Sequence, residues 1–352
     1  MSKIEKINTD FYNKVVDLLK EARKLVVRTV NKTMVLTYFE IGRIIVEEEQ
    51  KGKARAEYGK GILKGLSERL TKEFGKGFSV DNLENMRRFY LVYSISEKSS
   101  RKSNNEKSET VFRIFDKTDF ELSWSHYLFL LKIDHPEERK FYEIEATNNN
   151  WSVRGLQRHF NSALFERLVL SRDKKEIKNL SEKGQIIEKP IDTVKDPYVL
   201  EFLGLPEERK YSETELEQEI IDKLEHFLLE LGKGFTFVGR QVRFTFKEKH
   251  FRVDLVFYNR ILQCFVLIDL KIGEISHQDL GQMQMYVNYY DRKVKLSHEN
   301  PTIGIVLCRT KDDALVEMTL SEKNEQIFAS KYLTVLPSKE ELKKLIKNKD
   351  DE

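Results

Sequence analysis

Two acids and a lysine stand where apolar strands ordinarily carry no charge. Residues 251–257 read Phe-Arg-Val-Asp-Leu-Val-Phe, with Asp254 in the middle, and residues 268–271 read Ile-Asp-Leu-Lys, with Asp269 two positions before Lys271. A charge within an apolar strand costs several kcal/mol unless a metal or a partner ion offsets it. Alternation along a strand points Asp269 and Lys271 to the same face. A surface Asp–Lys pair would explain that spacing too, but not the second acid on the neighbouring strand. Two carboxylates and an amine converging from adjacent strands can hold a divalent metal and place a water beside it. Asp254, Asp269 and Lys271 are therefore the candidate reactive centre.

The elements that must position them form a pattern of their own. Ser212-Glu-Thr-Glu215 is a capping box, which predicts a helix running to Leu231. Strand-like runs follow at Thr236–Val238, Gln241–Phe246, Phe251–Phe257 and Leu262–Leu270. A helix is expected over His277–Tyr290, then strands at Thr302–Cys308 and Tyr332–Leu336 and a polar C-terminal helix. Helix, strands, helix, strand is the outline of one compact α/β domain.

The preceding half reads as helices. Thr33–Gln50 places Leu36, Phe39, Ile41, Ile44 and Ile45 at helical spacing, and Gly59–Phe74 does the same with Ile62, Leu63, Leu66 and Leu70. Gly75-Lys-Gly77 breaks that helix and Ser79 is an N-cap for the next, the outline of a helix-turn-helix. Ile95–Thr110 is nearly free of apolar residues and predicts a mobile loop. Helical patterns resume at Trp124–Leu131, Pro136–Ala146 and Ser152–Leu170. Residues 172–195 are charged and weakly periodic, which predicts a linker between a helical domain over 1–171 and an α/β domain over 196–352.

Charge distribution points to a second candidate surface. The chain has 352 residues, 34% of them charged, yet a formal net charge of only +3. Lys51 to Arg88 holds ten basic residues against five acids. Lys76, Asn82, Asn85, Arg87 and Arg88 are placed to reach phosphates or base edges. A solvated helical face is the plainer reading of such lysine-rich helices.

Several classes are disfavoured. No apolar run is long enough to span a bilayer, and the first residues lack the apolar segment of a signal peptide. Cys264 and Cys308 lie in apolar runs and read as buried thiols, which fits a reducing, cytoplasmic setting. The seven histidines show no paired metal-ligand spacing, which argues against a zinc hydrolase. Trp124 and Trp151 read first as core.

The acid, acid, spacer and lysine pattern resembles the PD-(D/E)XK nuclease superfamily, with Asp254 as the first motif acid and Asp269-Leu270-Lys271 as the second motif. The resemblance implies a restriction-endonuclease-like domain with a central mixed sheet. It implies Mg²⁺ or Mn²⁺ held by Asp254, Asp269 and the Leu270 carbonyl, with Lys271 positioning or deprotonating the attacking water. In that superfamily the preceding helix often supplies an acid and the following helix a glutamine. Glu217, on a face with Ile220, Ile221, Leu224 and Leu228, is the acid candidate and a further metal ligand, whereas Glu213 and Glu219 fall on polar sides. Gln282, with Tyr286 one turn on, is preferred to Gln284.

Further phrases resemble the YhcG-like branch with its helical N-terminal domain. They include Tyr38-Phe-Glu-Ile-Gly-Arg43, Gly75-Lys-Gly-Phe-Ser79, Trp151-Ser-Val-Arg154, Asp196-Pro-Tyr-Val-Leu-Glu-Phe-Leu203 and Val238-Gly-Arg-Gln241. That branch usually has Glu in the second motif, whereas this chain has Asp269. What the resemblance implies is a metal-dependent DNA endonuclease with an N-terminal DNA-binding or assembly domain that self-associates, a dimer being the expected form. RNA is the alternative substrate. The competing class is a catalytically silent DNA-binding or scaffolding subunit of a repair or defence complex.

Overall fold

The computed structural model describes residues 3–51, 56–100, 120–170, 174–205 and 211–342. They form two compact units, Met1–Leu156 and Gln157–Glu352.

The first unit is helical. Helix α1 (Lys3–Lys51) is one element about 74 Å long. It is followed by α2 (Ala56–Phe74), α3 (Val80–Ser100), α4 (Trp124–Leu130) and α5 (Pro136–Asn148). The glycine turn between α2 and α3 is present, with Gly75 and Gly77 at φ +83° and +119°, and Ser79 Oγ accepts the Asn82 amide. Yet α3 packs mainly along α1. Gly42 makes this possible, because a Cβ there would lie 2.1 Å from the Met86 carbonyl oxygen. Phe39, Phe89, Phe120, Trp124 and Tyr127 close the core, ring against ring. Trp124 is structural, as read, its Nε1 donating to Asn82 Oδ1, and His126 bridges Ser123 Oγ and the Trp151 carbonyl. Of the expected loop at 95–110, residues 95–100 continue α3, and 101–110 lie outside the described residues.

Helix α6 (Val153–Asn161) spans the division, and α7 (Leu164–Leu170) belongs to the second unit. The division falls before the expected boundary at 171/172, and side chains of 157–170 are bonded within the second unit. Arg167 on α7 is 0% exposed, ion-paired to Glu230 and donating to the carbonyls of Ser162 and Pro197. Nor is 172–195 a free connector. It carries α8 (Lys174–Lys183) and buries Leu180, Asp192 and Thr193; the Asp192 carboxylate accepts the amides of Glu188 and Lys189. In the last turns of α8 Asn179, Glu182 and Lys183 are exposed, whereas Leu180 and Ser181 are buried.

The second unit is built on a mixed six-stranded sheet, in the order β1 (Tyr198–Val199), β6 (Ile327–Leu333), β5 (Ile303–Thr310), β4 (Cys264–Glu274), β3 (Lys249–Asn259), β2 (Phe235–Phe246). The first four pair in parallel, whereas β4–β3 and β3–β2 are antiparallel. Helices α9 (Glu213–Asp222) and α10 (Leu224–Leu231) cover one face through Leu216, Ile220 and Phe227 against Leu255, Ile268 and Ile305. Helix α11 (His277–Lys293) covers the other through Leu280, Met283 and Val287 against Val256, Leu267 and Val306. Strands buried on both sides read as unbroken apolar runs, which is why β4 and β5 were plain in the sequence.

The capping box at Ser212 is formed, but the helix expected to reach Leu231 breaks at Lys223, whose Nζ reaches back to the Leu203 carbonyl at 2.5 Å. The short α12 (Asp313–Thr319) was not anticipated, and residues 339–342 begin a helical turn whose continuation lies outside the described residues. Both cysteines are buried free thiols, as expected. Among the described residues no helix is long and apolar enough to cross a membrane.

Gly42→Ala is expected to lower stability by about 3 kcal/mol or more by forcing α1 from α3. Gly65→Ala, in open space on α2, should gain up to about 1 kcal/mol. Thermal denaturation of both variants checks the contrast; equal effects would contradict it.

Candidate active site

The site lies where two strands part. The β3–β4 ladder runs from Asn259↔Cys264 to Leu255↔Ile268 and stops. One residue further on each strand stand Asp254 and Asp269. Beyond that point β4 stays paired to β5, through Asp269↔Val306 and Lys271↔Cys308. The Leu270 amide thus loses its β3 partner, and Asp254 Oδ2 accepts it instead at 2.8 Å. A side chain has replaced a backbone carbonyl, and the fork between the strands is lined with acid.

Asp269 is 2% exposed, and its Oδ2 lies 3.0 Å from Lys271 Nζ. That contact is an ion pair without hydrogen-bond alignment, since the same oxygen is buried with no hydrogen-bond partner. Lys271 Nζ also lies 3.7 Å from Glu213 and 3.8 Å from Asp279. The sequence reading put Glu213 on a polar side of its helix. The structure turns it toward Lys271, one turn before Glu217, on the same helix face.

Electrostatics follow from this crowding. Burial, and then the neighbouring Asp254, push the Asp269 carboxyl up to about 7, against the opposing pull of Lys271. Burial opposes the charge on Lys271, but Asp269, Glu213 and Asp254 outweigh it and hold the ammonium above its ordinary range. Burial and Asp254 likewise raise Glu217, which is also buried.

Glu217 reaches the centre through a residue whose role sequence reasoning missed. The Gln241 side-chain amide donates to Glu217 and, at 3.0 Å, to Asp254 Oδ1. Gln241 adopts φ +47°, left-handed for a non-glycine residue within β2, close to a register shift between Phe237 and Gly239. Its signals in the sequence were the interruption at Gly239-Arg240 between two strand-like runs and its place at the end of the Val238-Gly-Arg-Gln241 phrase, neither of which assigns it a role.

On α11, Gln282 is half-buried and hydrogen-bonds the Tyr286 hydroxyl, whereas Gln284 is exposed. Tyr286 is raised by burial first and by Asp269 and Asp254 after it, which places its hydroxyl in the field of the pair. Asp279 caps its own helix through Ser276 while facing Lys271; His277 is exposed.

The N-terminal candidates are differently placed. Lys76 is exposed and Asn85 half-buried. Asn82 is engaged internally: its Nδ2 donates to the Gly77 carbonyl at 2.6 Å, and its Oδ1 accepts from Trp124. Arg87 is bound to Glu49 at 2.7 Å and to Glu84 at 3.1 Å. Arg88 lies 4.0 Å from Asp134. Two of the five side chains expected on nucleic acid thus hold the helical unit together.

Among the described residues no three His, Cys, Asp or Glu side chains form a ready-made metal cage. The centre is a two-carboxylate site, the number Mg²⁺ commonly takes from protein when substrate and water complete its shell. Hard oxygen donors, an orphaned buried carboxylate oxygen and mutual repulsion between the acids fit such a cation.

Comparison with known proteins accords with this chemistry. Residues 191–347 match the YhcG PDDEXK nuclease domain, and residues 14–167 match the DUF1016 N-terminal domain. Over 341 residues the chain is 39% identical to "Putative nuclease YhcG" of Escherichia coli (strain K12), covering 93% of this chain and 90% of that one. Two solved structures show more distant likeness. A repair endonuclease from Pyrococcus abyssi is 16% identical with a TM-score of 0.25, over 36% of this chain and 49% of that chain. EndoMS in complex with double-stranded DNA is 15% identical with a TM-score of 0.26, over 38% and 51%.

In the unfolded chain Asp269 ionises near pH 4; in the folded chain it keeps its proton to about 7. Between those values the folded state holds the extra proton, so stability falls as pH rises through the window. Asp269→Asn removes that dependence. Its Tm is expected to exceed the unmodified protein's at about pH 8 and to be flatter from about pH 4 to 7. A lower Tm for the variant at about pH 8 would contradict the charge assignment.

Proposed function

Because the chain belongs to the YhcG family of PDDEXK nucleases, we propose that it is a divalent-metal-dependent endonuclease hydrolysing DNA phosphodiester bonds. The observation that carries this reading is the pairing of half-buried Asp254 with buried Asp269 at the fork, with Lys271 beside them. Asp254, Asp269 and the Leu270 carbonyl are the residues to hold Mg²⁺ or Mn²⁺. Glu217 stands behind them, tied to Asp254 through Gln241. When bound, such a cation neutralises a phosphate oxygen and acidifies a water.

The chain's own groups do the rest. Lys271, held protonated by the acids around it, acts as a hydrogen-bond donor and positive charge, orienting the nucleophilic water and steadying the developing phosphorane charge. It is not the base in this arrangement. Gln282, at the wall formed by α11, orients the water or a phosphate oxygen. Asp254 and Asp269 repel each other until a cation lies between them, so the pair is built to be completed by one.

The helical unit's role is read as assembly. Phe11, Leu18 and Leu25 recur every seven residues along α1, and so do Tyr12, Leu19 and Val26 beside them; all six are more than half exposed. Past this stripe α1 bonds the rest of its unit through Arg28 to Glu121, and only beyond that does its apolar packing on α3 begin, at Phe39 and Gly42. The apolar face amounts to on the order of 700 Å² of side chain, about one partner's share of a standard interface. A heptad stripe of that kind is matched by its own copy, so the partner assigned is a second chain, joined α1 to α1.

Supercoiled plasmid incubated with Mg²⁺, Mn²⁺ or EDTA tests the activity: metal-dependent nicking is expected, and Lys271→Ala should lower it by about 10²–10³-fold with the Tm little changed. Nicking that persists in the variant would overturn the assignment of Lys271. Complete inactivity of the unmodified chain would favour the scaffold reading. Leu18→Glu with Leu25→Glu should convert dimers to single chains in light scattering; a monomeric unmodified protein would refute the α1 pairing.

A further inference from the structure

The β2–β3 hairpin runs on past the fork. β3 pairs with β4 only as far as Leu255, whereas its ladder with β2 continues to Phe246↔Lys249. One side of this projection is packed: Phe244 stacks on Tyr289 at 4.1 Å and on Phe251 at 5.5 Å, and Val253 is buried in the same cluster. The other side is exposed and carries Arg243 and Arg252, which are direct register partners. Like charges facing each other across a ladder destabilise it. Among the described residues neither guanidinium has an ion-pair or hydrogen-bond partner.

The local charge is equally one-sided. From Arg240 to Arg252 there are five basic residues (Arg240, Arg243, Lys247, Lys249 and Arg252) against Glu248 alone, an excess greater than the +3 of the whole chain. Arg252 lies two residues before Asp254, about 7 Å along the strand. An arginine pair left uncompensated next to a candidate phosphodiester site is arranged for a ligand carrying repeated negative charge, and arginine's planar fork suits phosphate oxygens.

We infer that the exposed side of this hairpin is a phosphate clamp that grips the DNA backbone flanking the scissile bond, with Arg243 and Arg252 as its two principal contacts. The inference rests on the nuclease reading above and gives the substrate a path: the strand leaves the fork along the hairpin. The clamp is a positioning device. It touches backbone phosphates and carries no sequence information.

The test is duplex-DNA binding by the full chain in EDTA, followed by fluorescence anisotropy between about 50 and 200 mM KCl. Arg243→Gln with Arg252→Gln is expected to weaken binding about tenfold and to reduce the slope of log affinity against log salt by about 1.8, two phosphate contacts' worth. Arg252→Gln alone should remove about half of that slope change. Arg292→Gln with Lys293→Gln, the same charge change at the far end of α11, should leave the slope near that of the unmodified chain. Because the double variant removes a like-charge opposition, its Tm should be unchanged or higher, an effect that a structural role for the pair would reverse. A salt slope equal to the unmodified chain's, or a lowered Tm, overturns the clamp. Absence of DNA binding by the unmodified chain overturns the nuclease reading and the clamp with it.

Discussion

The parting of β3 from β4 after Leu255↔Ile268 is the constraint on which the rest depends. A ladder that continued would satisfy Leu270 with backbone and bury apolar side chains at both following positions. Instead Asp254 takes the Leu270 amide, and Asp269 is drawn into the same small volume. Helices α9 and α11 close the fork from either side, one bringing Glu213 and Glu217, the other Asp279 and Gln282. The fold serves the site by what it withholds from two strands.

The charge balance at the fork is strained in a directed way. Asp254, Asp269, Glu213, Glu217 and Asp279 converge where Lys271 is the cation in contact. Burial raises the cost of ionising Asp269 and Glu217. Sites that keep such repulsion trade stability for chemistry, and a divalent cation relieves it. The uncompensated Arg243–Arg252 opposition on the neighbouring hairpin has the same form with the opposite sign.

Asp254, Asp269 and Lys271 were legible in the sequence because a charge inside an apolar strand has few explanations, and the structure brings the three together. The α/β outline was legible because strands buried on both faces cannot hide their composition. Glu217 could be picked out by the face it shares with Ile220. Glu213 could not, since the first turn of a capped helix is acidic for reasons of its own. Gln241 was hidden because its reach toward Asp254 depends on a left-handed backbone turn that no spacing rule specifies. Arg167 read as one more surface charge, although it is wholly buried against Glu230 and draws α7 into the second unit. Asn82 and Arg87 looked available for nucleic acid because their partners Trp124 and Glu49 lie about forty residues away in sequence.

A fork built this way should take up one cation. Titrating Mn²⁺ into the full chain and following it by electron paramagnetic resonance, with and without duplex DNA, answers this. One Mn²⁺ per chain is expected, with proton release at about pH 6.5 as Asp269 ionises, and loss of that uptake in both Asp254→Asn and Asp269→Asn. Mn²⁺ bound equally well by those variants, or no uptake even with DNA present, would contradict it.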